Sequence, residues 1–311
     1  MLKYGQFEIH VLPRVAWTWE EFMANTPHDS IALDGMVRSG PSFDESSCRI
    51  NFDHHDGVVR EATMSTSMQV YMAIKGDLMS LFAGRTVHVY INDTDQDTCH
   101  AVWFLLHHAD FAGDKSIPYV SRHLYINDKL DITGGAFPIS LTDKLIRQHV
   151  WVFEPYTNLR KSGALATADA MLLEANLEAN LHRLEQFLMN QGGESEPDTR
   201  YVIRAKYPAY WFTEETGGSE ARWQLFNEGM KAFVSVVATR PDGRRVLSIG
   251  RFSRYTRFPV RGLYNDLNAL ENMPPGEGWG GSDIVGGSSR LHGSGLSDDA
   301  IHEVILKRLA I

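Results

Sequence analysis

Cysteine is scarce in this 311-residue chain, which has only Cys48 and Cys99. Two thiols cannot make the framework of a disulfide-held domain, and without a Cys-x-x-Cys pair they do not point to a thiolate metal site. No apolar run approaches the roughly 20 residues that span a bilayer. The first residues, Met1-Leu2-Lys3-Tyr4-Gly5-Gln6, lack the basic and apolar regions of a signal peptide. Basic residues are outnumbered, with 30 Lys and Arg against 39 Asp and Glu, for a net charge of -9. That balance argues against an extended nucleic-acid surface but leaves room for a small basic pocket. No long internal repeat is present. What remains is an ordinary globular composition, 43% hydrophobic and 22% charged. These exclusions predict a cytoplasmic protein with reduced thiols and no membrane contact. The chain is long enough for two domains and leaves room for a homodimer.

The first half alternates strand-like and helix-like pulses. Ser30-Ile31-Ala32-Leu33 reads as a strand running into Asp34-Gly35, and Arg49 to Phe52 as a second strand. Thr66 to Leu81 fits a helix packed through Met68, Met72 and Met79. Val87 to Ile91 is β-rich, Thr98 to His107 suits a helix, and Leu124-Tyr125-Ile126 reads as another strand. Leu173, Leu177, Leu181, Leu184 and Leu188 recur at spacings of four and three, which predicts one long helix over 165–190. Gln191 to Pro197 reads as a linker. The second half holds a hairpin about Pro241-Asp242-Gly243, a short helix over 262–272 and a final helix from Ser297. The expected fold is α/β: a parallel-sheet metal-binding domain over 1–190 and a smaller α+β substrate domain over 191–311.

Chemistry gathers where predicted strands end. Asp53-His54-His55 follows Ile50-Asn51-Phe52, and Asp34 follows Leu33. Asp93, Asp95 and Asp97 stand between a strand and a helix, where alternate residues of an extended segment point the same way. They suit either metal ligation or helix capping. Asp34 is also a natural turn residue. Asp128 and Asp131 both follow the pulse at 124–126, with Asp128 preferred as the closer to its end. Ligands of α/β sheets collect beyond the carboxyl ends of strands, so these positions predict one site. Oxygen and imidazole donors suit manganese, magnesium, iron or zinc. Paired metals about 3.5–4 Å apart activate water and neutralise a phosphoryl group under attack.

The glycine-rich stretch over 276–295 is the second feature. Its glycines allow backbone amides to cradle an anion. Gly286, Gly287 and Ser288 form the expected cradle, with Arg290 to grip phosphate and His292 to orient a leaving group. A surface loop is the plain alternative, although Ile284-Val285 suggests a strand within it.

The triplet Asp53-His54-His55 resembles the signature of the DHH phosphoesterases, and residues 276–295 look like a variant of that family's glycine- and histidine-rich loop. The usual family order places an Asp-x-Asp element first. Here Asp95 and Asp97, with Asp93 alongside, look like that element displaced downstream, which suggests a rearranged or divergent member. The resemblance implies metal ligands at Asp34, Asp53, Asp95, Asp97 and Asp128. It implies that His54 binds or tunes the metal, that His55 supports the attacking water, and that Arg290 and His292 address the substrate phosphate. The implied activity is hydrolysis of a phosphoester or phosphoanhydride by metal-activated water, in a small phosphorylated molecule, nucleotide or short oligonucleotide. A metal-dependent hydrolase of a non-phosphate substrate and a non-catalytic ligand-binding protein are the competing readings.

Overall fold

The computed structural model describes residues 1–274, 276–289 and 291–309. The chain is mixed α/β, with two six-stranded mixed sheets and, among the described residues, ten α-helices. None of those helices is long and apolar enough to cross a membrane. One compact unit comprises Met1–Ile132, Thr142–Arg160 and Ala168–Glu196; the other comprises Thr133–Leu141, Lys161–Thr167 and Pro197–Ile311. Gln191 to Glu196, which read as linker, stay with the first unit, where Ser195 N donates to Arg147 O (3.0 Å).

The sheet of the first unit contains β1 (Leu2–Tyr4), β2 (Phe7–Val11), β3 (Ser30–Leu33), β4 (Ser42–Asp44), β5 (Arg49–Phe52) and β6 (Val87–Ile91). Their spatial order is β1-β2-β6-β3-β5-β4. The inner four run parallel, while β1 and β4 fold back antiparallel at the edges. β2 alternates buried and half-buried residues, as a strand with one partly open face should. Every residue of β3 is buried, as expected for a central parallel strand covered on both faces.

Helices α1 (Trp19–Asn25), α2 (Thr66–Lys75), α3 (Gln96–Leu106), α4 (His108–Phe111), α5 (Pro118–Ile132), α6 (Lys144–Lys161) and α7 (Ala170–Leu188) follow in chain order. The N-terminus of α2 is capped by Ser65, that of α3 by Asp95 and that of α7 by Asp169. The leucine stripe of α7 buries Leu173, Leu177, Leu181 and Leu184, each contributing roughly 1.5–3 kcal/mol of apolar transfer.

Two expectations are corrected. The helix expected over 66–81 stops at Lys75, because Gly76 caps it and Asp77 takes a left-handed φ of 70° before a 3₁₀ turn over Leu78–Phe82. Met72 is 50% exposed rather than packed. The strand expected at Leu124-Tyr125-Ile126 lies inside α5. Three residues fit either period. The wider set of Val120, His123, Leu124, Asn127 and Leu130, all buried, repeats every three to four.

The second unit's sheet is built from β7 (Val202–Lys206), β8 (Trp211–Glu214), β9 (Ala232–Thr239), β10 (Arg245–Arg251), β11 (Gly280–Gly281) and β12 (Val285–Gly287), in the order β11-β12-β10-β9-β8-β7. Only the β8–β9 pair is parallel. The β9–β10 hairpin turns at Gly243 (φ 81°), as the Pro-Asp-Gly signal implied. Helices α8 (Ala221–Asn227), α9 (Val260–Glu271) and α10 (Asp298–Leu309) complete the unit. Leu263 and Leu267 of α9 and Ile301 and Ile305 of α10 pack with Val234, Val236, Leu247 and Ile249 of the sheet.

Candidate metal centre

On one rim of the first sheet, Asp34 and Asp53 directly follow the neighbouring parallel strands β3 and β5, and Asp93 stands two residues past the adjacent β6. Asp34 N still donates to Phe52 O (3.0 Å), so Asp34 leaves β3 at the last rung. Its φ of 49° is left-handed, a conformation that aspartate tolerates better than most side chains. The turn at Asp34-Gly35 aims the carboxylate between two helix starts. Thr66 Oγ1 of α2 donates to Oδ1 (2.9 Å) and Thr98 Oγ1 of α3 donates to Oδ2 (3.2 Å).

Asp53 is fully buried at the end of β5. Its Oδ1 accepts from the backbone amides of Gly35 (3.3 Å), His54 (2.7 Å) and His55 (3.1 Å), and lies 2.7 Å from His55 Nδ1. Its Oδ2 is buried without a hydrogen-bond partner. The crowded oxygen fixes the triplet's backbone; the other is left for something the protein does not supply.

Carboxylates surround one nitrogen of the next residue. His54 Nε2 lies 2.8 Å from Asp131 Oδ2, 3.4 Å from Asp34 Oδ1 and 3.8 Å from Asp97 Oδ2. None of these contacts is aligned as a hydrogen bond, and Nδ1 has no partner either. Two groups of donor atoms converge within 4.8 Å: Asp34 with His54 and His55, and His54 with Asp97 and Asp131. The set is all oxygen and imidazole nitrogen, the donor chemistry of manganese, magnesium, iron and zinc.

Asp97 is held by the N-terminus of α2. It accepts from Thr66 N (2.6 Å), Ser67 N (3.1 Å), Ser67 Oγ and Asn127 Nδ2 (3.1 Å). Helix amides and dipole favour an anion there. Asp131 is paired with Arg60, whose Nη2 donates to its carbonyl (3.0 Å) and to Oδ2 (3.2 Å). Arg60 is itself buried.

Burial disfavours ionisation throughout, but the outcome differs by residue. Burial works to raise Asp34, yet the neighbouring His55 and His54 outweigh it and hold Asp34 well below the carboxylate range. Asp131 is likewise lowered, because His54 and Arg60 overcome desolvation. Burial and repulsion from Asp131 and Asp34 push Asp97 up to about 7. Burial, with Asp34, Asp93 and Asp131 nearby, pushes Asp95 well up. Burial and Arg60 oppose protonation of His54, but Asp131 and Asp34 prevail and raise it to about 10. Without a cation, the His54 imidazolium is one of the few positive groups among these acids.

The expected residues do not all meet. Asp34, Asp53, His54, His55 and Asp97 converge. Asp131 joins them in place of Asp128, whose oxygens are engaged by Ser65 N (2.7 Å) and Lys129 Nζ (2.8 Å). The helical period explains the exchange: Asn127 and Asp131, four apart on α5, both reach the cluster. Asp95 caps α3 through Thr98 N (2.9 Å), and Asp93 accepts from Thr94 N (2.7 Å) and Tyr156 Oη (3.3 Å). Arg60, Thr66, Ser67 and Asn127 were not foreseen. The run Ser65-Thr66-Ser67 before an apolar helix was the one local signal.

In the second unit, the glycine-rich stretch is an ordered sheet edge rather than an open cradle. Gly286 and Gly287 pair with Ile249 and Ser248 of β10. A Cβ at Gly286 would run into Gly280 O and the Tyr264 hydroxyl, and one at Gly287 into Leu247 O. Close backbone approach therefore explains these glycines. Ser288 Oγ accepts from Leu247 N (2.9 Å), and His292 Nε2 lies 3.2 Å from Glu277 Oε2. Arg290 lies outside the described residues. No family model, curated protein or solved structure matches the chain.

Proposed function

We propose that this chain is a metal-dependent phosphohydrolase, a divergent relative of the DHH phosphoesterases, acting on a small phosphorylated molecule, nucleotide or short oligonucleotide. One observation carries the reading: His54 Nε2 faces three carboxylates without an aligned hydrogen bond, beside the orphaned Oδ2 of Asp53. Buried donors left unmatched in this way are costly unless a cation completes them. Asp34, His54, Asp97 and Asp131 would hold the ion, with Asp53 and His55 next to it. A divalent cation there, manganese by preference, would lower the pKa of water and offset charge on a phosphoryl group.

The chain's own residues supply the rest. Asp53 Oδ1 takes the hydrogen on His55 Nδ1, which leaves Nε2 of that ring as the proton acceptor. His55 is 35% exposed in its side chain, so the acceptor is open to substrate and water. This gives His55 the role of general base. Arg60 balances Asp131, and the amides of α2 hold Asp97 rigid; both limit how far the cluster can relax. Binding an ion at Nε2 of His54 requires release of the proton held there.

The test is turnover of a generic aryl phosphodiester by chelator-stripped protein, with and without added Mn²⁺. Hydrolysis that appears on adding the ion and is lost in His55→Gln supports the reading. Tight metal binding without hydrolysis of any phosphoester tried would move the site to another substrate class.

A further inference from the structure

We propose that Glu8, His10 and His88 form a second, chemically distinct metal site on the first sheet, for a borderline ion of the Zn²⁺ class. β2 and β6 are parallel neighbours, with Glu8 opposite His88 and His10 opposite Tyr90. Alternation along each strand puts all four side chains on one face. Phe22 of α1 covers that face at Tyr90, with ring centroids 5.9 Å apart. Glu8, His10 and His88 remain half-buried. They stand within the strands, away from the carboxyl ends that carry Asp34 and Asp53.

The geometry is convergent. His10 Nε2 lies 3.2 Å from His88 Nδ1, which in turn lies 3.4 Å from Glu8 Oε2. The three donor atoms fall within 4.8 Å of one another. His88 Nδ1 carries either one hydrogen or one lone pair, so it can satisfy only one of these two neighbours by a hydrogen bond. An ion among the three would be met by all of them. The rings are also held in place. His10 stacks on Tyr90, with centroids 4.6 Å apart and planes 10° apart. Lys3 Nζ engages the other oxygen of Glu8 (2.6 Å), leaving Oε2 for the site.

Two imidazoles and one carboxylate are a donor set typical of zinc. The centre at the strand ends is richer in oxygen and suits harder ions. The two sites are thus separable by metal preference, and this inference does not depend on the hydrolytic reading. A bound ion would tie β2 to β6 across the middle of the sheet.

The experiment uses the full chain stripped with chelator, then titrated with Zn²⁺ by calorimetry and with Co²⁺ by visible absorption. The expected result is one zinc equivalent fewer in the His10→Ala/His88→Ala double variant, with loss of the matching Co²⁺ band and unchanged Mn²⁺ uptake. Glu8→Gln is expected to weaken that zinc equivalent by about tenfold or more. An unaltered melting temperature of the metal-free variants verifies the fold. Equal zinc equivalents in wild type and double variant, or a Co²⁺ spectrum that both substitutions leave intact, would overturn the proposal.

Discussion

Around His54, the carboxylates of Asp34, Asp97 and Asp131 crowd one ring nitrogen that makes no aligned hydrogen bond. Between α3, α5 and α6, three other buried histidines run ring to ring. His100 Nε2 meets His123 Nδ1 and His123 Nε2 meets His149 Nδ1, both at 3.2 Å, and the row ends on Gln96 Oε1 (3.3 Å). A neutral imidazole both donates and accepts, so a row of them needs no counter-ion, although His100 Nδ1 at its far end has no hydrogen-bond partner. Ionised carboxylates only accept, so their convergence draws positive charge, here the His54 imidazolium and Arg60. Burial accordingly pushes His100 and His149 down to about 3 and His123 well below its usual range, whereas His54 is raised. One cluster is a neutral piece of core; the other is charged and leaves Oδ2 of Asp53 without a partner.

The sharpest way to break this contrast is Asp53→Asn. Asparagine still accepts the three backbone amides but removes the carboxylate charge. Turnover with Mn²⁺ should fall about 10²-fold or more while the melting temperature moves little. Undiminished turnover in purified protein would remove Asp53 from the centre.

Arg60→Met comes next. It leaves the half-buried Asp131 beside His54 without its arginine and should cost the metal-free protein roughly 1.5–3 kcal/mol in urea unfolding. Added Mn²⁺ should restore more stability in this variant than in wild type, because ion and arginine share Asp131. Equal shifts in the two proteins would separate the ion from Asp131.

The neutral row makes a pH prediction. Its folded pKa values lie below the unfolded value near 6.5, so the unfolded chain takes up protons that the folded chain refuses. Stability contributed by the row is intact above about pH 6.5 and is lost as pH falls toward 3. Between pH 7 and 5.5 the loss should be roughly 1 kcal/mol per histidine. His123→Gln should flatten that slope in urea unfolding measured across the range. An unchanged slope would mean the row is not held neutral.

The smallest effect is expected at the glycine-rich edge. His292→Ala removes only a half-exposed pair with Glu277 and should alter stability by less than about 0.5 kcal/mol. A rise in KM for the aryl phosphodiester would place this edge in substrate binding; an unchanged KM would leave it a structural edge.

Much of the centre was legible because its main ligands obey a local rule. A short apolar pulse that ends in a carboxylate is visible in sequence at Leu33-Asp34 and Phe52-Asp53, and these prove to be adjacent strand ends. Asp95 was harder, since an N-cap and a ligand use the same side chain at the same place. Read with period two, 124–126 favours Asp128 over Asp131. On a helix the residue four after Asn127, not the one next to it, shares its face. Arg60 carried no pattern at all: a lone arginine in a loop reads as solvated until a carboxylate is found beside it. Residues 144–161 form α6, yet Pro155 inside that helix masks its periodicity in the sequence.

By itself the sequence determined the local rules: where apolar pulses make strands, where leucines at spacings of four and three make a helix, and which positions follow strands with carboxylates. Tertiary structure alone decided that β6 lies between β2 and β3, and therefore that Asp34, Asp53 and the loop after Ile91 share one rim. It also decided that Asp131 and Arg60 arrive there together, and that Gly286 and Gly287 serve a tight sheet edge. Strand order and side-chain convergence depend on contacts between residues far apart in the chain, and no local spacing encodes them.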